Sequence, residues 1–166
     1  MRRLAYMLAL GIGLAGMCTT TVRAAEVAIE DVSNEYSNVL DEMTDEELSE
    51  MCRVLFLECR GEPFEGKVAC VEVIFNRVLS DAWPDTVHEV LSQKGQFATY
   101  KHIETAYDVD EDDIEIAQGE ICRAIMHVHD NGLTVLPNER YVYFDTHGVN
   151  GRNHIKVGRQ YFGEGH

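Results

Sequence analysis

The chain has 166 residues, which is enough for one folded domain, and its net charge at pH 7 is −15. Such an acidic protein is a poor partner for nucleic acid or an anionic membrane surface, because both repel negative charge. We therefore expect a soluble protein that binds neither, and a monomer.

The N-terminal residues 1–24 have the pattern of a secretory signal. Arg2 and Arg3 precede an apolar run over residues 4–17, and Val22 and Ala24 offer small residues at the spacing of a cleavage site. The apolar run is too short to span a bilayer comfortably. Cys18 raises the alternative of a lipoprotein, but a methionine rather than a small residue precedes it. Cleavage would leave a secreted chain without membrane attachment and with a net charge of −18, since residues 1–24 contain three arginines and no acid.

Residues 25–43 are acidic and weakly patterned, which predicts a linker or a loosely docked lead-in before a domain over residues 44–166. The domain opens with a capping box of Thr44 and Glu47, followed by apolar residues at helical spacing over about 45–60. The second segment, Phe64 to Leu79, is apolar nearly all round. A helix without a clear polar side belongs in the middle of a domain.

A shorter helix is predicted after the turn at Trp83-Pro84, capped by Asp85 or Thr86 and ending near Gln93. Asp110 is expected to cap a long helix that ends near His129. After it, apolar and aromatic residues alternate in three short stretches separated by glycines, at 141–144, 155–157 and 160–162. The order of elements predicts an α+β domain that is mostly helical, with a small C-terminal antiparallel sheet.

Four cysteines follow the predicted signal, and export would permit disulfides between them. Cys52 and Cys59 are separated by seven residues of one predicted helix, a rise of about 10.5 Å. A disulfide needs Cα atoms within about 7 Å, so this pair is excluded. The other pairings, with Cys70 and Cys122, stay open. So does the alternative that all four are small apolar core residues.

The segment FLECRGEPFEG, residues 56–66, concentrates carboxylates at the end of the first helix. On a helical wheel Glu58 flanks the buried stripe of that helix, one turn or less from its end. Apolar surroundings disfavour the charged form of a carboxyl group, and a general acid must hold its proton near neutral pH. Glu58 is therefore the candidate acid, although an ion pair with Arg60 or Lys67 would also explain it.

The neighbouring carboxylates have structural explanations. Glu65 lies in the first turn of the second helix, where its charge suits the helix dipole. Glu72 lies inside that apolar helix and must be hydrogen-bonded or ion-paired, with Arg53 or Arg77 as candidate partners.

Two other chemistries are less well supported. A Cys nucleophile, Cys59 or Cys70, could pair with a histidine base, but neither thiol begins a helix in a polar setting. His127 and His129 are two residues apart, which points their rings to different sides of a helix, and no metal-binding motif is present. We expect no metal and no cofactor.

Several stretches resemble the SleB-type cell-wall hydrolases, the family that includes spore-cortex-lytic enzymes. The residues that carry the likeness are ECRGEPFEGKVAC at 58–70, NRV at 76–78, GQFA at 95–98, YF at 143–144 and VGRQYF at 157–162. The likeness covers about residues 45–163. Cys59 and Ala98 depart from the family pattern, which has alanine and serine there, and residues 144–150 differ from the Gly-His-Tyr-His run of related sequences, leaving sugar or peptide preference open.

The resemblance implies a lysozyme-like domain that cleaves the glycan strands of peptidoglycan, and it assigns the acid/base to Glu58. We expect Glu62, Gln96, Phe97 and Tyr143 to bind the substrate, because polar and aromatic side chains suit sugar hydroxyls and ring faces. Phe97 and Tyr143 could instead be core residues.

Three functions remain open. Lytic transglycosylation needs one glutamate, whereas a hydrolytic muramidase needs a second carboxylate, for which Glu62 and Asp145 are candidates. The third is a module that binds wall glycan without cutting it.

Overall fold

The computed structural model of the protein describes residues 35–103, 111–149 and 153–165. The predicted signal over residues 1–24 and the predicted cap Asp110 lie outside these ranges. In chain order the described elements are α1 (35–41), α2 (Asp45–Cys59), α3 (Phe64–Val78), α4 (Val87–Ser92), a 3₁₀ turn (Tyr100–His102), α5 (Glu111–Asn131), β1 (Tyr141–Asp145), β2 (His154–Val157) and β3 (Gln160–Glu164). The predicted order of helices followed by a small sheet is confirmed.

Helix α3 forms the centre of the domain, as its all-round apolar sequence predicts. It contacts α2, α4, α5 and the sheet, and every residue from Gly66 to Arg77 is buried. Helix α2 begins at the predicted capping box, in which Glu47 N donates to Thr44 Oγ1 (3.1 Å) and Thr44 N donates to Glu47 Oε2 (3.0 Å). Thr86, rather than Asp85, caps α4.

Part of the acidic segment before residue 44 is a helix that packs on the domain. Residues 35–41 form α1, and Tyr36 and Val39 belong to the hydrophobic core. Tyr36 is only 2% exposed, and its hydroxyl donates to Asn76 Oδ1 on α3. Tyr36 and Val39 are three positions apart in an acidic segment, and this pattern is too weak to predict a helix. The helix at 35–41 forms because these residues pack in the core.

The three strands form an antiparallel sheet in the order β1-β3-β2. Phe144 pairs with Phe162 across β1 and β3, and Ile155 pairs with Phe162 from the other side. The register between β1 and β3 shifts at a bulge between Tyr141 and Tyr143. The tight turn between β2 and β3 brings Gly158 and Arg159 back toward the end of α2, where the candidate acid lies.

Glu72 is fully buried on α3, and its partners are not the predicted arginines. Its carboxylate accepts hydrogen bonds from three successive backbone amides: Thr134 N (2.6 Å), Val135 N (3.0 Å) and Leu136 N (2.7 Å). These amides lie in the loop after α5, which turns at Gly132 with a positive φ of 65°. Glu72 therefore fixes this loop to the centre of the domain.

None of the described helices combines the length and the apolar character needed to cross a membrane.

Candidate active site

Glu58 lies in the last turn of α2, and its side chain is half-buried. The Thr99 hydroxyl donates a hydrogen bond to Glu58 Oε1 at 2.6 Å. No basic residue in the described part of the chain forms an ion pair with Glu58, so the alternative pairing with Arg60 or Lys67 is not observed. Lys67 instead binds Glu120 at 2.7 Å. One oxygen of Glu58 is thus oriented by a neutral donor, and within the described ranges no hydrogen bond reaches the other.

The segment that carries Thr99 is held against α2 at a second point. The Tyr100 hydroxyl donates to Glu50 Oε1 (2.5 Å), and Glu50 Oε2 lies 2.9 Å from His88 Nδ1 on α4. Burial, followed by the bond to Glu50, raises the pKa of Tyr100 to about 12, and the same carboxylate raises the pKa of His88. Glu50 and Glu58 therefore fix adjacent residues of the segment after α4 to the same helix.

The β2–β3 turn closes the other side of the end of α2. Both oxygens of Glu62 accept from Arg159, from its backbone N at 2.8 Å and from its Nε at 3.0 Å. A side chain at Gly158, whose φ is 61°, would collide with Glu62, so glycine permits this close approach. Next to Arg159, Gln160 Nε2 donates to the backbone oxygen of Glu58 at 3.3 Å.

Glu62 is 5% exposed, and both of its oxygens are engaged by Arg159. In this arrangement Glu62 joins the end of α2 to the sheet, and its assignment to substrate binding stays a prediction. The sequence placed it in a turn between Gly61 and Pro63 but could not show that Arg159, far along the chain, folds back onto it.

An aromatic cluster surrounds the buried guanidinium of Arg77 near the site. The Arg77 Cζ lies 4.3 Å from the ring centroid of Trp83, 5.2 Å from that of Phe97 and 5.9 Å from that of Tyr143. Arg77 Nε donates to Val142 O at 2.7 Å. Burial lowers the pKa of Arg77 to about 10, which still leaves the guanidinium charged at neutral pH. The ring faces and the carbonyl oxygen of Val142 stabilise that charge.

The predicted groove residues differ in their exposure. Phe97 is 5% exposed and packs against Phe144, with ring centroids 6.0 Å apart, which favours its alternative role as a core residue. Tyr143 is half-buried and meets Trp83 edge-on, and Gln96 is exposed. For Gln96 and Tyr143, substrate binding stays a prediction.

Sequence reasoning missed two residues that contact Glu58. Thr99 follows Ala98, the position at which the family pattern has serine. The hydroxyl group of Thr99, next to this position, was the available sign in the sequence that Thr99 could contact the site. Gln160 belongs to the VGRQYF stretch of the family likeness and gave no independent signal. Only the fold brings both to the end of α2.

The thiols do not have the setting of a nucleophile. Cys70 is fully buried, and burial raises its pKa well above the ordinary value. Cys59 Sγ donates to the backbone oxygen of Leu55 at 3.1 Å. Since a nucleophile must reach the thiolate form, this geometry disfavours the Cys–His alternative.

The two histidines of the metal alternative face different partners. His127 Nε2 lies 3.1 Å from Thr134 Oγ1, whereas His129 Nδ1 lies 2.7 Å from Asp130 Oδ1. Over the described ranges, no three His, Cys, Asp or Glu side chains are grouped so as to hold a metal ion.

A family model described as Cell Wall Hydrolase matches residues 61–160, well over half of the chain. The chain belongs to the Cell Wall Hydrolase family. The matched span begins at Gly61, just after Glu58, and includes Glu62, Arg77, Thr99 and Gln160. Membership in the Cell Wall Hydrolase family agrees with the resemblance seen in the sequence.

Curated relatives match the chain over short stretches. A spore cortex-lytic enzyme of Oceanobacillus iheyensis is 38% identical over 60 residues, which are 36% of this chain and 22% of that protein. A spore cortex-lytic enzyme of Bacillus cereus is 36% identical over 64 residues, 39% of this chain and 25% of that protein. The matches thus span a quarter or less of these relatives' length.

Two solved structures share the fold over most of the chain. The catalytic domain of the germination-specific lytic transglycosylase SleB from Bacillus anthracis is 25% identical with a TM-score of 0.54, covering 74% of this chain and 97% of that one. The catalytic domain of the Bacillus cereus SleB protein is also 25% identical, with a TM-score of 0.53, covering 73% and 91%. The described fold is therefore that of a SleB catalytic domain, which is lysozyme-like as predicted.

Proposed function

We propose that this protein is a secreted lytic transglycosylase that cleaves the glycan strands of peptidoglycan, with Glu58 as its acid and base. The observation that carries the proposal is the position of Glu58 at the end of α2, half-buried, with Thr99 on one oxygen and no basic partner in the described part of the chain. The likeness to lytic enzymes of the cell wall supplies the substrate class.

The carboxylates that could assist Glu58 are otherwise engaged. Glu62 is held by Arg159, and Glu72 is fully buried and accepts hydrogen bonds from backbone amides. Asp145 accepts a hydrogen bond from His147 N at 2.6 Å at the end of β1. Hydrolytic glycosidases use two carboxylates, so a site with one available carboxylate favours transglycosylation.

In the proposed reaction, Glu58 first donates its proton to the glycosidic oxygen as the bond between that oxygen and C1 of N-acetylmuramic acid breaks. The resulting carboxylate then accepts the proton of the C6 hydroxyl of the same sugar, whose oxygen attacks C1. A 1,6-anhydro ring forms, and Glu58 regains its proton without consumption of water. Attack within one sugar also supplies the advantage of proximity.

Product analysis tests the reaction type. Purified peptidoglycan digested with the protein is expected to give muramic ends that are one water lighter than hydrolytic ends and resistant to borohydride reduction. Mass spectrometry before and after reduction makes the measurement. Reducible muramic ends in the earliest digests would instead identify a muramidase, and binding to the wall without soluble products would identify a glycan-binding module.

Secretion and a monomeric state complete the proposal. The pattern of residues 1–24 and the acidic charge of the chain support export. The substrate lies outside the membrane, so an enzyme of this class must cross it.

Thr99 is expected to orient Glu58 through the hydrogen bond to Oε1. Thr99→Val keeps the shape of the side chain but removes its donor, and should lower kcat by up to roughly tenfold with little change in KM, since a hydrogen bond between neutral groups contributes about 0.5–1.5 kcal/mol. Thr99→Ser retains the hydroxyl and should keep most of the activity. Steady-state rates on soluble glycan fragments provide the test. Equal losses in both variants would show that the hydroxyl has no orienting role.

A further inference from the structure

The sulfur atoms of Cys52 and Cys122 lie 3.6 Å apart, although the two residues are 70 positions apart in the chain. Cys52 is buried on α2, and Cys122 is exposed on α5. The two helices contact each other. Of the pairings that the sequence left open, this contact selects the one that joins α2 to α5.

We propose that Cys52 and Cys122 form a disulfide bond in the exported protein, while Cys59 and Cys70 stay reduced. A disulfide brings the sulfurs to about 2.05 Å, so each must approach the other by less than 1 Å from its present position. Small rotations of the two side chains achieve this. The inference does not depend on the proposed reaction.

Access separates the two pairs of thiols. Cys122 is exposed, so a small oxidant reaches its sulfur. Cys59 and Cys70 are 1% and 0% exposed, and they lie against each other in the core between α2 and α3. Proximity alone would allow a bond there too, but no oxidant reaches those sulfurs in the folded protein.

The oxidant belongs to the class of small or protein disulfides, such as oxidised glutathione. The Cys122 thiolate attacks one sulfur of that disulfide, a mixed disulfide forms, and one glutathione thiolate leaves. Cys52 then loses its proton and attacks the Cys122 sulfur, which releases the second glutathione thiolate. The two protein thiols are oxidised, the oxidant is reduced to two thiols, and the two protons released by the protein balance those taken up by glutathione.

The second step is expected to be slow at neutral pH. Burial, together with the neighbouring Cys122, raises the pKa of Cys52 to about 12, so little thiolate is present. Closure of the bond should accelerate as the pH rises, because the fraction of thiolate increases.

Peptide mapping tests the pairing directly. Cleavage after every Lys and Arg places the five cysteines of the full chain in five different tryptic peptides, with Cys52 in 24–53, Cys59 in 54–60, Cys70 in 68–77 and Cys122 in 102–123. After incubation of the full-length protein with oxidised glutathione at mildly alkaline pH, we expect peptides 24–53 and 102–123 to be linked, and the Cys59 and Cys70 peptides to be alkylated as free thiols. A Cys59–Cys70 link, or a glutathione adduct that stays on Cys122 without closure, would overturn the proposal.

Thermal unfolding gives an independent measurement. A bond that closes a loop of this length is expected to raise the unfolding midpoint of the oxidised protein over the reduced one by roughly 5–15 °C, because it restricts the unfolded chain. The matched control is Cys122→Ser, an exposed substitution that preserves the fold and should abolish the difference between oxidised and reduced samples. An equal midpoint in the oxidised and reduced wild type, or a shift that persists in Cys122→Ser, contradicts the pairing.

Discussion

Replacing Glu58 by Gln is expected to lower wall-clearing activity by about 10²–10⁴-fold, because the amide can neither donate nor accept the proton that the reaction transfers. The fold should be preserved, since Gln has the same shape and its amide oxygen can still accept from Thr99 Oγ1. Clearing of a peptidoglycan suspension, followed by turbidity, provides the rate, and circular dichroism confirms folding.

The matched control is Glu65→Gln. Glu65 is exposed in the first turn of α3, seven residues after Glu58. Its replacement by Gln removes the same charge from the same region without touching the site. Its activity should stay within about threefold of the wild type, the scale on which surface substitutions act. If Glu58→Gln retained activity within about tenfold of wild type, Glu58 would not be the acid/base.

Replacing Glu72 by Ala is expected to reduce the free energy of unfolding by about 3–5 kcal/mol. The substitution removes the common acceptor of three backbone amides, at Thr134, Val135 and Leu136, and leaves them without a partner beside a new cavity. Urea unfolding followed by circular dichroism measures the loss. Glu65→Ala, on the exposed side of the same helix, should cost less than about 0.5 kcal/mol.

Glu72 should also make stability depend on pH. Burial raises the pKa of this carboxyl group, and the backbone hydrogen bonds oppose that effect without cancelling it. A carboxyl group whose pKa is raised in the folded state contributes stability that is fully present below its unfolded pKa and is lost as the pH rises through the folded pKa. Relative to Glu72→Gln, which does not titrate, the wild type should therefore gain stability as the pH falls from neutrality.

Unfolding curves for wild type and Glu72→Gln at several pH values check this sign. Gln can satisfy the three bonds made to Oε1, but its amide group would face the Leu136 N–H that now donates to Oε2. The variant should thus be less stable than the wild type at every pH. If the difference in the free energy of unfolding between wild type and Glu72→Gln became smaller as the pH falls, the assigned direction of the Glu72 pKa shift would be contradicted.

The sequence by itself determined the elements whose signals are local. The capping box at Thr44, the all-round apolar segment of α3 and the alternation at residues 141–144 each depend on neighbours in the chain, and each element is present. The sequence also placed Glu58 at the edge of the buried stripe of α2, because helical geometry fixes that from spacing alone. The sequence did not predict the helix at 35–41, since that helix depends on Tyr36 packing against α3.

Only the tertiary structure decided which groups meet these residues. Thr99 reaches Glu58, Arg159 reaches Glu62 and Cys122 reaches Cys52 across 41, 97 and 70 positions of chain. Sequence spacing specifies which face of a helix a side chain occupies, but not which distant segment covers that face. That choice follows from how helices and sheet bury their apolar surfaces together, which is a property of the whole fold.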